Sequence, residues 1–416
     1  MSDRLDALFR IILERLYGER GANVQLEARS DLKKICSSVE RLSAIYTRER
    51  AVLDSQLLAQ PEFRKAYVVY FLLANLSKVK TILGEIWMHP QTRQLLSSRL
   101  RILDLGCGPG THLLGCADFL ADQPLPVDRV ECVGVDVLEQ NLRDARYFFA
   151  RFVHEVISSS AARMGVHWNL QTRQADLCQP FGFDEEPFDF IILGNVLNEL
   201  FAYHPERVEK RLRLVTALVE SLLRPQGFLI LIEPALRETS RELLLLRDRL
   251  LDELPLSVYS PCVHNRHCPA VAADSPSDWC HEDVIWEAPS WIQQIDRRVG
   301  FHSNSLKYSY VVFSRLGLSF KEAACAQQAG SVSPEAQIWR VVSEVLEERG
   351  KSSVYFCGLE GRAKVTRLKK HSSAANQDFA QLGRGNVVAT GPVKHHKPKD
   401  WRVVAETGVR VMTGKR

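Results

Sequence analysis

Leu5, Leu8, Ile12 and Leu16 recur at steps of three and four, the spacing of one helix face, and residues 1–98 read as helical. A second long helix is predicted over Glu62–Trp87, where Ala, Leu, Val and Lys dominate and no Gly appears before Gly84. This N-terminal region reads as a helical cap or docking domain with no chemistry of its own. From Arg101 the pattern changes to short apolar strands at Arg101–Leu105, Val130–Val135, His167–Arg173, Phe188–Leu193 and Gly227–Ile232. Helical stretches at His112–Leu120, Glu139–Ser158, Pro205–Leu223 and Arg237–Leu254 separate them. Such alternation predicts an α/β, doubly wound, mostly parallel sheet covered on both faces. After Leu254 the periodicity fails, and Pro255, Pro261, Pro269, Pro276 and Pro289 punctuate a segment rich in Cys, His and Trp. Leu306–Ser314 reads as a further strand at the sheet's edge. Ser353–Cys357, Ala363–Leu368, Gly385–Ala389 and Trp401–Val404 read as strands of a small β module. The expected organisation is a helical domain at 1–98, an α/β core at 99–254, a Cys-rich insertion at 255–300, a connector at 301–350 that ends the core sheet, and a basic β module and tail at 351–416.

Composition sharpens this picture in two places. With 45% hydrophobic and 25% charged residues in 416, the chain has the balance of a globular protein with a large core. No run of about 18 uncharged apolar residues occurs; the greasiest, Ala66–Leu76, is flanked by Lys65 and Lys78, so no membrane span is expected. The opening Met1-Ser-Asp-Arg lacks the features of a signal or transit peptide, which points to a cytoplasmic protein with free or metal-bound rather than disulfide-bonded cysteines. The net charge of +4 conceals an asymmetry: residues 351–416 carry 14 Lys and Arg against 4 Asp and Glu, while the other 350 carry 40 against 46. A basic tail on an acidic body suggests contact with a polyanion, the alternative being a solvated tail that binds nothing specific.

Candidate chemistry begins at Asp104-Leu-Gly-Cys-Gly-Pro-Gly110, where a strand runs into Gly106, Gly108 and Gly110 before a helix. This G-x-G-x-G differs from the G-x-G-x-x-G of dinucleotide folds, whose pyrophosphate needs the helix N-terminus. A loop opened by an acid suits S-adenosylmethionine, which has no phosphate and offers an amino acid portion to Asp104. Asp136, ending the second strand, is placed for the ribose hydroxyls. Asp176, after the third, is placed for the adenine amino group. Asn195, Asn198 and Glu199 follow the fourth strand, where open α/β sheets bind ligands. Each acid singly could merely cap a helix. Asn195 lacks the Pro-Pro-Tyr that would mark an N-methylation signature, and Pro261-Cys262 resembles the thiolate pair that attacks a pyrimidine ring.

Cys262, Cys268 and Cys280 fall within 19 residues of the irregular segment, which buries little apolar surface and would gain order from a metal centre. Cys357, ending a strand beside Gly358, is the best fourth thiol. Four cysteines suit an iron–sulfur cluster or zinc; His264, His267 and His281 keep a mixed Cys/His zinc site open, and unligated thiols are the third alternative.

Asp104–Gly110, Asn195-Val-Leu-Asn-Glu-Leu200, Ile232-Glu-Pro234, Ser260-Pro-Cys262 through His267-Cys-Pro269, and Gly358–Arg367 after Cys357 together resemble the methyltransferase-like proteins of the mitochondrial small ribosomal subunit and their bacterial relatives. The resemblance runs from about residue 60. It implies a class I S-adenosylmethionine-dependent methyltransferase fold, binding to the small ribosomal subunit and its rRNA during assembly, and a [4Fe-4S] cluster on Cys262, Cys268, Cys280 and Cys357. It also implies that Arg362, Lys364, Arg367, Lys369, Lys370 and Arg384 face ribosomal RNA, with Tyr355, Phe356 and Phe379 available to stack bases or to fill a core. The expected protein is monomeric off the ribosome. Three functions follow for test: an rRNA methyltransferase, an assembly factor that keeps the fold without transferring a methyl group, and a small-molecule methyltransferase with a zinc site.

Overall fold

A computed structural model describes residues 2–22, 30–95, 98–123, 127–158, 165–179, 182, 185–272, 275–328, 333 and 335–413; the last three residues of the basic tail lie outside it. Strands β1 (Arg99–Leu105), β2 (Arg129–Asp136), β3 (His167–Gln174), β4 (Phe188–Gly194) and β5 (Leu223–Pro234) form a parallel set in the order β3-β2-β1-β4-β5. Alternation along buried strands sends side chains to two different cores. Leu100, Ile102, Phe190, Ile192, Ile230 and Ile232 join the N-terminal helices, while Leu103, Leu105, Ile191, Leu193, Leu229 and Leu231 pack with α8 (Arg207–Leu222) and α9 (Arg237–Glu253).

Beyond β5 lie β6 (Ser257–Ser260), β7 (Glu282–Ile285) and β8 (Ser305–Ser314). β8 runs antiparallel to β5 and pairs on its other side with both β6 and β7. It is therefore an interior strand rather than the predicted edge; the Pro-rich insertion supplies the two short outer strands that cover it. The whole is the class I methyltransferase fold, with the antiparallel extension that distinguishes it from an all-parallel dinucleotide sheet.

On one face sit α1 (Ser2–Ala22), α2 (Leu32–Thr47) and a long helix over residues 61–87, made of α3 (Pro61–Ala66), a π-helical turn Tyr67–Phe71 and α4 (Leu72–Trp87). By length and composition Pro61–Trp87 is apolar enough to cross a membrane. Its apolar residues Val69, Leu72, Leu76, Val79 and Ile82 are instead fully buried against the sheet layer, as in a core helix. α5 (Thr92–Leu95) links it to β1, and α6 (Thr111–Leu120) packs directly on α4. Gly115 permits that approach, since a Cβ there would lie 2.4 Å from Val79 Cγ1 and 2.8 Å from the Leu76 carbonyl oxygen. α7 (Glu139–Phe152), α10 (Ser290–Val299) and α11 (Phe320–Gln327) complete the α-helices among the described residues.

A second eight-stranded sheet has the order β14-β15-β12-β11-β9-β13-β16, with β10 paired to β11. Its strands are β9 (Gln337–Val341), β10 (Leu346–Glu348), β11 (Lys351–Gly358), β12 (Gly361–Leu368), β13 (Val387–Thr390), β14 (Lys394–Lys397), β15 (Asp400–Val403) and β16 (Val409–Val411). β9 lies in the stretch assigned to a connector from sequence, because Arg340 interrupts its apolar pattern. That guanidinium is buried and meets Glu282 Oε1 at 2.8 Å and Glu85 Oε1 at 3.3 Å, tying β9 to β7 and α4.

Candidate functional site

β1 and β2 end side by side, Leu105 against Val135, so the loop Gly106–Gly110 opens over the carboxyl edge of the sheet. Gly106, Gly108 and Gly110 all take positive φ, of 72°, 53° and 85°. A Cβ on Gly106 would fall 2.5 Å from Val196 and one on Gly110 3.2 Å from Ala145, whereas one on Gly108 would face open space. The loop is thus packed at both ends and bare in the middle, where a ligand can approach. Beneath it Asp104 is fully buried with neither carboxylate oxygen hydrogen-bonded, and His112, whose Nδ1 lies 3.4 Å from Asp104 Oδ1, has no hydrogen bond on either ring nitrogen. Buried polar groups without partners are rare. A ligand carrying an amino group fits the Asp104 carboxylate, which is the requirement set by the amino acid end of S-adenosylmethionine.

Asp136 is differently employed. Its Oδ2 accepts from the Gly108 amide at 2.8 Å, and its Oδ1 accepts from the Leu138 amide at 2.9 Å and Asn141 Nδ2 at 3.1 Å. Three of about four acceptor sites are taken, so the group anchors the glycine loop and keeps one site for a hydroxyl. Burial raises it above the ordinary carboxylate range against these hydrogen bonds. Asp176 is exposed and accepts from the Cys178 amide at 2.8 Å, closing a turn after β3. Asn195 follows β4 with φ 56° and donates its amide to the Ile232 carbonyl at 2.8 Å, turning the chain across the sheet edge.

The loop that follows carries the site's strongest electrostatics. Glu233, near the end of β5, is 2% exposed; its Oε1 accepts from the Asn198 amide at 3.3 Å and its Oε2 has no partner. Burial pushes Glu233 up to about 7, with Arg211 opposing. Burial and then the neighbouring Glu233 push Glu199 up to about 8. Burial holds Lys78 down to about 8, with Glu233 opposing. The N-terminal region, expected to be chemically silent, roofs this edge. Arg50 donates to Asn198 Oδ1 and to the Tyr46 carbonyl at 3.1 Å. Tyr203 donates to the Ala51 and Leu53 carbonyls at 3.0 and 3.2 Å, and the Tyr67 hydroxyl lies 3.4 Å from Thr111 Oγ1 beside the glycine loop. No sequence motif marks Arg50 or Lys78; only the fold brings them to the strand ends.

Cys262, Cys268, Cys280 and Cys357 line one cavity of about 30 Å³ at the seam of the two sheets, together with His264 and His281. Cys262 follows β6, Cys268 and Cys280 lie farther along within the Pro-rich insertion, and Cys357 comes from β11. Burial, then the other three thiols, raises Cys357 well above the ordinary thiol range; burial also raises Cys280, to about 11, and Cys268. Among the described residues no group of three or more His, Cys, Asp or Glu stands in a metal-holding arrangement. The donor chemistry therefore suits a four-thiolate centre while the thiols as placed do not close on one. Arg247, fully buried, and Arg362 supply the positive surroundings that thiolates need. Burial lowers His264 and His281 to about 4, keeping both imidazoles neutral, and His264 Nε2 lies 3.8 Å from Cys357 Sγ. His267 stands apart, 67% exposed and 2.8 Å from Asp252.

The six basic residues expected to face RNA separate into two groups. Arg362 donates to the Trp279 carbonyl at 3.2 Å, Arg384 to the His281 and Val342 carbonyls at 3.1 and 2.9 Å, and Arg367 to the Asn376 carbonyl at 2.8 Å over the Phe379 ring. These three brace the cysteine cavity and the second sheet, because a half-buried guanidinium must satisfy its donors inside. Lys364 is half-buried, 4.0 Å from Glu348. Lys369 and Lys370 are exposed. So are Lys394, His395, His396 and Lys397 along β14, the outer strand, which the sequence reading passed over. Phe356 and Phe379 are fully buried and belong to the core.

Among curated proteins none matches the chain. Solved structures of similar fold include one from Listeria monocytogenes assigned to the class I S-adenosylmethionine-dependent methyltransferases (13% identity, 74% of this chain and 80% of that one, TM-score 0.33). The plantazolicin methyltransferase BpumL is similar at 11% identity (75% and 96%, TM-score 0.31), as is the phosphoethanolamine N-methyltransferase 1 of Haemonchus contortus (11%, 70% and 51%, TM-score 0.30). The family model described as mitochondrial small ribosomal subunit Rsm22 matches residues 61–381, a span that contains the glycine loop, the acidic strand ends and all four clustered cysteines. The chain belongs to this methyltransferase-like Rsm22 family.

Proposed function

We propose that this protein binds S-adenosylmethionine on the Asp104–Gly110 loop and acts on the small ribosomal subunit, methylating its rRNA during assembly. The observation that carries the reading is the buried Asp104 carboxylate, which accepts no hydrogen bond and has the His112 ring 3.4 Å away, beneath three left-handed glycines. The family's name supports the ribosomal partner, and the exposed lysines of Lys369–Lys370 and β14 offer phosphate contacts. The cofactor supplies an electrophilic methyl group; the chain's part is to hold its amino end at Asp104, exclude water under the helical roof, and orient the acceptor near Asn198. In the same reading Cys262, Cys268, Cys280 and Cys357 ligate a [4Fe-4S] cluster that ties the two sheets together. Co-sedimentation with small subunits at low salt, lost when residues 351–416 are removed, supports the partner; no co-sedimentation sinks it. About four iron and four sulfide per chain on anaerobic purification supports the cluster. Stoichiometric zinc without sulfide assigns the thiols, with His264 or His281, to zinc instead.

The use of three acceptor sites of Asp136 within the chain, with one left for a cofactor hydroxyl, favours a second reading, an assembly factor that keeps the fold without transferring a methyl group. Identical modified nucleosides in small-subunit rRNA from cells with and without the protein, alongside an assembly defect in the latter, would favour it.

A further inference from the structure

The unpartnered buried polar atoms at the carboxyl edge are not confined to the cofactor loop. Besides Asp104 and His112, they include Asn198 Nδ2, in the loop after β4, and Glu233 Oε2, at the carboxyl end of β5, both on groups more than nine-tenths buried. Tyr67, whose hydroxyl lies 3.4 Å from Thr111 Oγ1 beside the glycine loop, feels the charges of both Asp104 and Glu199. Charge interactions link Glu233 to Glu199, Arg50, Arg211 and Lys78, and Glu199 to Arg50, Asp54, Asp136, Tyr46 and Tyr67. Arg211 is already committed to Glu242 and to the carbonyls of Asn198 and Leu200, and Arg50 to Asn198 and Tyr46. Neither cation closes Glu233 off in an ion pair. A fold that needed only stability would fill this position with an apolar residue.

We propose that Glu233, paired with Glu199, is the proton acceptor for methyl transfer, and that the acceptor it serves is an N–H or O–H nucleophile. The inference rests on the cofactor reading given above. In the step the acceptor's lone pair forms the new bond to the methyl carbon, the sulfonium S–CH₃ bond breaks with its electron pair going to sulfur, and the acceptor's proton passes to the Glu233 carboxylate. S-adenosylhomocysteine and the methylated product leave. Methylation of a pyrimidine carbon would require a thiolate instead. Cys262 of the Pro261-Cys262 pair lines the four-thiol cavity rather than this edge. Burial raises both acids, and the charge of Glu233 raises Glu199 further, so the two can take up a proton near neutrality.

The test compares S-adenosylmethionine with S-adenosylhomocysteine, which differ in the sulfonium charge. Calorimetric titration of the full-length protein at pH 7 in two buffers of different ionisation enthalpy counts protons released on binding. A carboxylate pair facing the sulfonium releases roughly half a proton more with S-adenosylmethionine than with S-adenosylhomocysteine. The difference vanishes in Glu233→Gln while S-adenosylhomocysteine still binds. Methyl transfer to small-subunit rRNA falls about 100-fold or more in kcat in that variant, with KM for S-adenosylmethionine unchanged. Equal proton release by the two ligands in the wild type overturns the proposal, and needs no variant to fold. A difference that persists in Glu233→Gln overturns the assignment to Glu233. Failure of both ligands to bind the wild type overturns the cofactor reading itself, and this inference with it.

Discussion

The carboxylate at position 233 makes a prediction about stability that is independent of catalysis. Glu233 is 2% exposed, and burial raises it from its ordinary 4.5 to about 7. The native state therefore holds a proton that the unfolded chain releases earlier as pH rises. Stability from this group is complete below about pH 4.5, declines across the window from 4.5 to 7, and is lost above it. The change corresponds to about 3 kcal/mol, with no discount for solvent because the group is buried. Glu233→Gln keeps the shape and removes the titration. Its stability relative to wild type should therefore swing by about 3 kcal/mol in the variant's favour between pH 4.5 and pH 8, whatever constant cost the new amide carries. In differential scanning this is a crossing or divergence of midpoints on the order of 5 °C. Midpoint curves that run parallel across that range would refute the placement of a raised, buried carboxylate at β5.

Three further outcomes follow from the packing. Gly106→Ala drives a Cβ to 2.5 Å from Val196 at φ 72°, and should weaken S-adenosylhomocysteine binding roughly 10-fold or more in calorimetry, since a misplaced residue there costs about 1–3 kcal/mol. Arg340→Met leaves Glu85 and Glu282 buried without their cation, so denaturant unfolding should show a loss of about 3–5 kcal/mol, largely recovered when both glutamates are also changed to Gln. Replacing Lys369, Lys370, Lys394 and Lys397 by Ala should reduce the salt slope of small-subunit binding by about 3, while the same change at Arg367, which faces Asn376 and Phe379, should act through stability.

Much of the fold was legible because the sheet's periodicities are strong and local. The parallel strands β1 to β5 and the helices between them announce themselves by apolar runs and by the glycine loop. β9 was hidden because its central Arg340 looks like a solvent residue until Glu85 and Glu282 are seen around it. The short β6 and β7 lie in Pro-rich text with too few residues to show a period. Convergence of Cys262, Cys268, Cys280 and Cys357 was anticipated from their clustering and the glycine beside Cys357, and the four do share a cavity. The roles of the tail arginines were not legible: composition counts charge but does not say that Arg362, Arg367 and Arg384 turn inward to backbone carbonyls. The helical roof was equally silent, since Arg50, Tyr67 and Lys78 carry no motif and gain their chemistry only by lying over distant strand ends.

We propose for this Rsm22-family protein methyl transfer to small-subunit RNA from a cofactor held at Asp104. The most direct measurement supplies S-adenosylmethionine labelled in the methyl group, together with small subunits from cells lacking the protein. The account predicts label in the small-subunit RNA, present with the wild-type protein and lost with Asp104→Ala. Bound cofactor with no label in that RNA, from early or late assembly intermediates alike, would contradict it.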